Sequence, residues 1–147
     1  MERTCLIVKP DGVGKKVVGE VIKRFEAEGM KLVAMKMMRP GREKMEGFYE
    51  VHKGKHFFEA FINFVVSGPI VVTVWEGVDA VARTRMIIGA TNSTEAAKGT
   101  LRNLYGTDNR RNLVHASDSA ANAKREISFF FPREEIFEYE LDGWKDK

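Results

Sequence analysis

A short apolar run ends in a histidine, with serine and aspartate close behind it, in Asn112-Leu113-Val114-His115-Ala116-Ser117-Asp118-Ser119. Serine and aspartate are strong helix N-caps. The pattern therefore predicts a strand that stops at His115 and a helix that starts just beyond it. Such a junction offers unpaired backbone N–H groups and the positive end of a helix dipole, a common setting for phosphate. Imidazole titrates near neutral pH and serves as an uncharged nucleophile or as a proton carrier. Taken alone, His115 fits a hydrogen-bonded core histidine as readily as a reactive one.

Glu126 shares a helix face with Ala123 and Phe130 and flanks the apolar stripe of that helix. A carboxylate there needs a partner, and a ring N–H of His115 is a candidate; a solvated surface glutamate is the alternative. Polar groups stand at several other element ends: Lys9, Tyr49, Arg85, Thr91, Arg102 and Asn112. Three cations, a phenol, a hydroxyl and an amide suit a polyphosphate, because lysine and arginine neutralise its oxygens and arginine does so in a bidentate way. Phosphoryl transfer asks for little more than such positioning and charge. Singly, each of these residues also has an ordinary surface or packing explanation. His52 and His56 flank a Lys-Gly-Lys turn and read as surface histidines.

The elements that must position these groups follow from periodicity. Thr4–Val8 reads as a buried strand closed by a Lys9-Pro10-Asp11-Gly12 turn. Val17 to Phe25 has helical spacing and a stop at Gly29. Met30–Met38 reads as a second strand, with Leu32, Ala34, Lys36 and Met38 on one face and Val33, Met35 and Met37 on the other. Met45, Phe48, Tyr49 and His52 mark one helix, and Phe57 to Val66 another. Ile70–Trp75 is almost uniformly apolar, which predicts a central strand. Val78 to Arg85 suggests a short helix. Thr91–Arg111 shows no period and reads as a functional loop or an assembly surface. Leu113–His115 is the fourth strand, and Ala123, Ile127 and Phe130 mark the last helix. In the charged tail, Ile136, Phe137, Tyr139 and Trp144 are the available anchors. This order predicts an α/β (α+β) fold of ferredoxin-like βαββαβ type, a four-stranded antiparallel sheet covered by helices.

The chain has 147 residues, 44% hydrophobic and 31% charged, which suits one compact domain over residues 1–147. A net charge of +3 permits an anionic ligand without demanding nucleic acid. The sequence shows neither a signal peptide nor a bilayer-spanning run, so the expected location is the cytoplasm. The single cysteine, Cys5, lies in an apolar strand and reads as packing. Rival motifs are missing: there is no Gly-x-x-x-x-Gly-Lys-Ser/Thr loop and no His-Glu-x-x-His, and Gly12-Val13-Gly14 lacks the third glycine of a dinucleotide fingerprint.

Read together, the segments resemble the nucleoside diphosphate kinases over essentially the whole length. The matching stretches are Leu6-Ile7-Val8-Lys9-Pro10-Asp11-Gly12-Val13, Gly19-Glu20-Val21-Ile22-Lys23-Arg24-Phe25-Glu26, Phe57-Phe58 and Ser67-Gly68-Pro69-Ile70-Val71-Val72. They continue through Gly89-Ala90-Thr91-Asn92, Gly99-Thr100-Leu101-Arg102 and the segment around His115.

The resemblance implies ping-pong transfer of a γ-phosphate from a nucleoside triphosphate to a nucleoside diphosphate through a phosphohistidine, with Mg²⁺ on the phosphates. It implies His115 as nucleophile through Nδ1, oriented by Glu126, with Lys9 and Tyr49 beside the transferred phosphate. Arg85, Thr91 and Arg102 would hold phosphate oxygens, Phe57 would stack on the base, and Asn112 would contact the ribose and the 3′-hydroxyl. Asp118 would lie near the metal–phosphate end, with Asp11 and Ser117 as supports. It also implies a homo-oligomer, hexameric in preference to tetrameric given the tail ending Leu141-Asp142-Gly143-Trp144.

Some positions depart from the family pattern. Ala116 replaces a frequent glycine. His56, Ser93, Lys98 and Ala120 replace frequent prolines, each a loss of ~0.4–1 kcal/mol through the unfolded chain. Asn109 stands where an apolar residue often covers the second face of the base. Two other readings compete: a nucleic-acid-binding sheet, and an inactive relative kept for assembly. The first lacks the RNA-recognition aromatic signature. The second would have lost the histidine or its phosphate ligands, and the sequence keeps them.

Overall fold

The computed structural model describes all residues, Met1–Lys147. Four strands, β1 (Glu2–Val8), β2 (Lys31–Met38), β3 (Ile70–Gly77) and β4 (Val114–Ala116), form one sheet in the order β2-β3-β1-β4. All three pairings are antiparallel. The seven helices are α1 (Pro10–Gly14), α2 (Val18–Ala27), α3 (Arg42–Phe48), α4 (Phe58–Val65), α5 (Ala80–Ile88), α6 (Leu101–Tyr105) and α7 (Ala120–Phe130). The predicted ferredoxin-like order is present.

Pleating divides the central strands between two cores. Cys5 and Ile7 of β1 join Met45 and Phe48 of α3, Ile62 of α4 and Phe130 of α7. Leu6 and Val8 join Val21 and Phe25 of α2, Ile87 and Ile88 of α5 and Leu101 of α6. Helices thus cover both faces of the sheet. That leaves no open sheet face of the kind a base-stacking RNA-recognition sheet uses.

Several local expectations change. Residues 10–14 form a helical turn where a plain turn was expected; Pro10 is tolerated at its start because the missing N–H would be unpaired there anyway. The alternation expected in β2 breaks at a bulge between Leu32 and Ala34, which sends Val33 and Ala34 into the same core. The segment expected to be without regular structure contains a 3-10 turn at Ser93–Glu95 and α6, whose N-cap Thr100 accepts from the N–H of Asn103. Of the tail residues, Ile136 packs on the core and Phe137 N–H donates to Val33 O at 2.9 Å, but the Phe137 and Trp144 side chains are largely exposed. No helix is long and apolar enough to cross a membrane.

Candidate active site

Val114 and Ala116 of β4 pack into the second core, so His115 between them turns to the opposite face. There its ring meets Phe48 at 5.2 Å and Tyr49 at 5.5 Å, both edge-on. Ser119 caps α7 by accepting from Asn122 N–H at 3.1 Å, and the helix carries Glu126 back over β4. Glu126 Oε1 lies 2.9 Å from His115 Nε2 and accepts from Ser117 Oγ at 2.8 Å. Ser117 Oγ itself accepts from Cys5 N–H at 3.2 Å. The carboxylate holds the proton of His115 on Nε2, and Nδ1 carries no hydrogen bond.

The backbone leading into β4 is forced. Leu113 is fully buried at φ 77°, a left-handed conformation that costs roughly 1–2 kcal/mol for a residue with a Cβ. Asp11, projecting from the first turn of α1, holds Leu113 N–H at 2.9 Å, and Lys9 N–H donates to Leu113 O at 2.9 Å. Gly12 permits this approach: a Cβ there would lie 2.6 Å from Val8 Cγ1 and 3.2 Å from Leu113 O.

His115 opens on a cleft of about 1030 Å³. Lys9, Tyr49, Phe57, Arg85, Thr91, Arg102, Asn112, Asp118 and Glu126 line it with His115. Asp11 and Ser117 do not line it; they bond Leu113 N–H and the Glu126 carboxylate, which hold its wall. Residues 2–136 match the family described as Nucleoside diphosphate kinase. The chain belongs to the nucleoside diphosphate kinase family.

It is 52% identical over 146 residues to the nucleoside diphosphate kinase of Carboxydothermus hydrogenoformans, an alignment covering 98% of each chain. The enzyme of Pelotomaculum thermopropionicum is 51% identical, again with 98% coverage of both. Among solved structures, the Aquifex aeolicus nucleoside diphosphate kinase superposes with a TM-score of 0.91 at 45% identity, covering 92% of this chain and 99% of that one. The Halobacterium salinarum enzyme in complex with CDP gives 0.94 at 40% identity, covering 96% and 94%. Like its family, the chain is an enzyme that moves phosphate between nucleotides.

The cations of the cleft are committed unequally. Lys9 is buried, donates to Asn112 Oδ1, and reaches Arg110 O at 3.1 Å. Burial lowers its ammonium to about 8; Asp11 opposes that shift and Arg102 reinforces it. Arg102 spends three N–H groups on carbonyls: Nε on Asn112 O at 3.1 Å, Nη1 on Gly89 O at 3.0 Å and Nη2 on Val114 O at 2.9 Å. Burial, with Arg85 nearby, lowers it to about 10. It is therefore first a brace for the site's backbone, with two of its five N–H groups left for a ligand. Arg85 makes only a long contact, 3.5 Å to Ala116 O.

Asn112 is similarly committed. Its Nδ2 donates to Thr91 O at 2.8 Å and Asn109 O at 3.2 Å, and Oδ1, which accepts from Lys9, keeps one lone pair open. Asn122 Nδ2 donates to Asp118 at 2.6 Å and holds its carboxyl below the usual range, aided by Arg85 and His115. Tyr49 is buried, its hydroxyl has no partner, and burial together with Glu126 pushes the phenol far up.

Among the other residues that line the cleft are His52, His56, Arg110, Arg111, Asn122 and Arg125. His56 is exposed, as expected of a surface histidine, and His52 is half-buried, but both stand at the cleft. The 3-10 turn at Glu50–His52 brings the His52 ring 5.6 Å from Phe57, and His56 lies 5.6 Å from the same ring. Burial lowers the pKa of His52, with help from Lys55 and His115. The paired arginines directly before Asn112 were the sequence signal for Arg110 and Arg111. Arg111 pairs with Asp108 at the cleft edge.

Proposed function

We propose that His115 carries the phosphate, in a ping-pong exchange between a nucleoside triphosphate and a nucleoside diphosphate. One observation carries the reading: Glu126 ties Nε2 of His115, which leaves Nδ1 without a hydrogen bond on a ring that lines the cleft. In the first half-reaction Nδ1 attacks the γ-phosphorus. The N–P bond forms, the bond to the β-phosphate oxygen breaks, and its electron pair leaves with the nucleoside diphosphate. The positive charge gained by the ring is stabilised by Glu126. In the second half-reaction the terminal oxygen of another diphosphate attacks phosphorus and the N–P electron pair returns to Nδ1.

The remaining groups bind and orient. Lys9 and Tyr49 meet the transferred phosphate, and Tyr49 brings an unpartnered hydroxyl to that task. Arg85, Thr91 and the two free N–H groups of Arg102 take phosphate oxygens. Phe57 stacks on the base, a mode of contact that tolerates any base. The open acceptor position of Asn112 takes a ribose hydroxyl.

No cluster of three acidic, histidine or cysteine side chains forms a cation cage. A single carboxylate, Asp118, beside substrate phosphates fits a Mg²⁺ bound mainly through those phosphates. When bound, the ion would neutralise phosphate charge. We place the enzyme in the cytoplasm as a homo-oligomer, a hexamer in preference to a tetramer. The exposed Leu141 and Trp144 of the tail and Met35 and Met37 of edge strand β2 support assembly.

Incubation with γ-labelled ATP tests the chemistry. The label appears as an acid-labile, base-stable adduct and disappears in His115→Ala. Label that persists in that variant, or no labelling of the wild type, would sink the reading. Mass in solution tests the assembly.

A further inference from the structure

Arg125 stands one residue before Glu126 and points to a different neighbour. Its Nη2 donates to Gly47 O at 3.0 Å and to Phe48 O at 3.3 Å. These carbonyls belong to the last turn of α3, at the negative end of its dipole. The guanidinium carbon also lies 5.9 Å from the Phe48 ring centre and 6.0 Å from that of Phe129. Arg125 is thus both the cap of α3 and a planar cation against an aromatic pair.

What α3 delivers at that end is one wall of the histidine pocket. Phe48 and Tyr49 pack edge-on to each other at 4.8 Å, and each packs edge-on to His115. The Tyr49 hydroxyl is buried without a partner, so the placement of this wall decides where an unspent donor points. The opposite grip on His115 comes from Glu126. Two consecutive residues of α7 therefore hold the histidine from two directions.

We propose that Arg125 is a positioning residue for phosphoryl transfer: it fixes the end of α3, and with it Phe48 and Tyr49, in register with the Glu126–His115 pair. The proposal rests on His115 as the phosphate carrier. It acts through the aromatic wall and makes no substrate contact, although Arg125 also lines the cleft.

The test is a comparison of Arg125→Met and Arg125→Lys with wild type. Arg125→Met keeps the apolar stem and loses the donors. It is expected to slow phosphoenzyme formation and kcat about tenfold or more, as small misplacements of reacting groups do, with nucleotide KM within about twofold. Arg125→Lys, which can still donate to both carbonyls, restores most of the rate. The ring nitrogen resonances of His115, followed by NMR without substrate, shift in Arg125→Met and return towards wild type in Arg125→Lys. A rise in KM at unchanged kcat would make Arg125 a substrate contact and overturn the proposal. So would unchanged kinetics in Arg125→Met, or unshifted His115 resonances in it. Absence of a phosphoenzyme in the wild type would instead remove the phosphohistidine reading, while the resonances still report on the Arg125–His115 coupling.

Discussion

The Asp11 carboxylate holds the backbone N–H of Leu113 at 2.9 Å, joining the first turn of α1 to a buried residue in left-handed conformation two positions before His115. The bond links the start of the chain to the geometry of the nucleophile. Asp11→Ala leaves the buried N–H unpaired and is expected to lower stability by about 1–3 kcal/mol. Leu113 then has less reason to keep its strained backbone, so phosphoenzyme formation falls as well. Urea unfolding and rapid-quench labelling check the two effects; a variant stable and active as wild type would show that the bond does not set β4.

Tyr49→Phe separates stability from function. The buried hydroxyl is unpartnered, so its removal is expected to raise stability by up to about 1 kcal/mol. If the hydroxyl waits for phosphate, the same variant transfers phosphate more slowly. Thermal unfolding without nucleotide and steady-state kinetics together check the opposed signs.

Glu126→Ala removes the acceptor shared by His115 and Ser117. Nε2 is then no longer bound to keep its proton, and both tautomers and ring rotamers become available. Phosphorylation of His115 is expected to slow tenfold or more, about 1.4 kcal/mol or more of barrier. Glu126→Gln keeps an oxygen acceptor but loses the charge, so an intermediate rate is expected. Burst-phase measurement ranks the three proteins, and equal bursts would rule out the orienting role.

Lys9 gives a pH signature. Burial lowers its ammonium from the ordinary 10.5 to about 8 in the folded protein. The folded state therefore releases this proton as pH rises through about 8, while the unfolded chain keeps it to higher pH. Stability relative to Lys9→Met is accordingly lowest below pH 8 and recovers between pH 8 and 10.5. Nucleotide phosphate favours the charged amine, so binding above pH 8 takes up a proton and affinity falls with rising pH. Calorimetry at pH 9 in two buffers of different ionisation enthalpy reads the uptake directly. Its persistence in Lys9→Met would assign the proton to another group.

The strands and most helices were legible in the sequence because their apolar residues repeat at the spacing of the faces they bury. Val21 and Phe25, or Ile62 and Val65, announce a helix stripe before any contact is known. α6 escaped because its five residues are too few to show a period, although the Thr100 cap was a usable mark. The bulge at Val33 escaped because it depends on how β2 pairs with β3, which no single strand records. The place of His52 beside Phe57 escaped because it depends on the 3-10 turn at Glu50–His52, which the helical spacing from Met45 does not announce.

The sequence by itself determined which groups are present for chemistry: the histidine at a strand end, a carboxylate on the helix that follows, and the cations scattered through the chain. It also determined the family, through ordered motifs. Tertiary structure decided which nitrogen of His115 is free, because that depends on Glu126 arriving from α7 at 2.9 Å. It decided that Arg102 braces three carbonyls while Arg85 remains largely uncommitted. It also lowered Lys9 to about 8 through burial. Residue type fixes what a side chain can donate or accept, but only packing fixes which of those capacities are already used and how much water is left to compete for the rest.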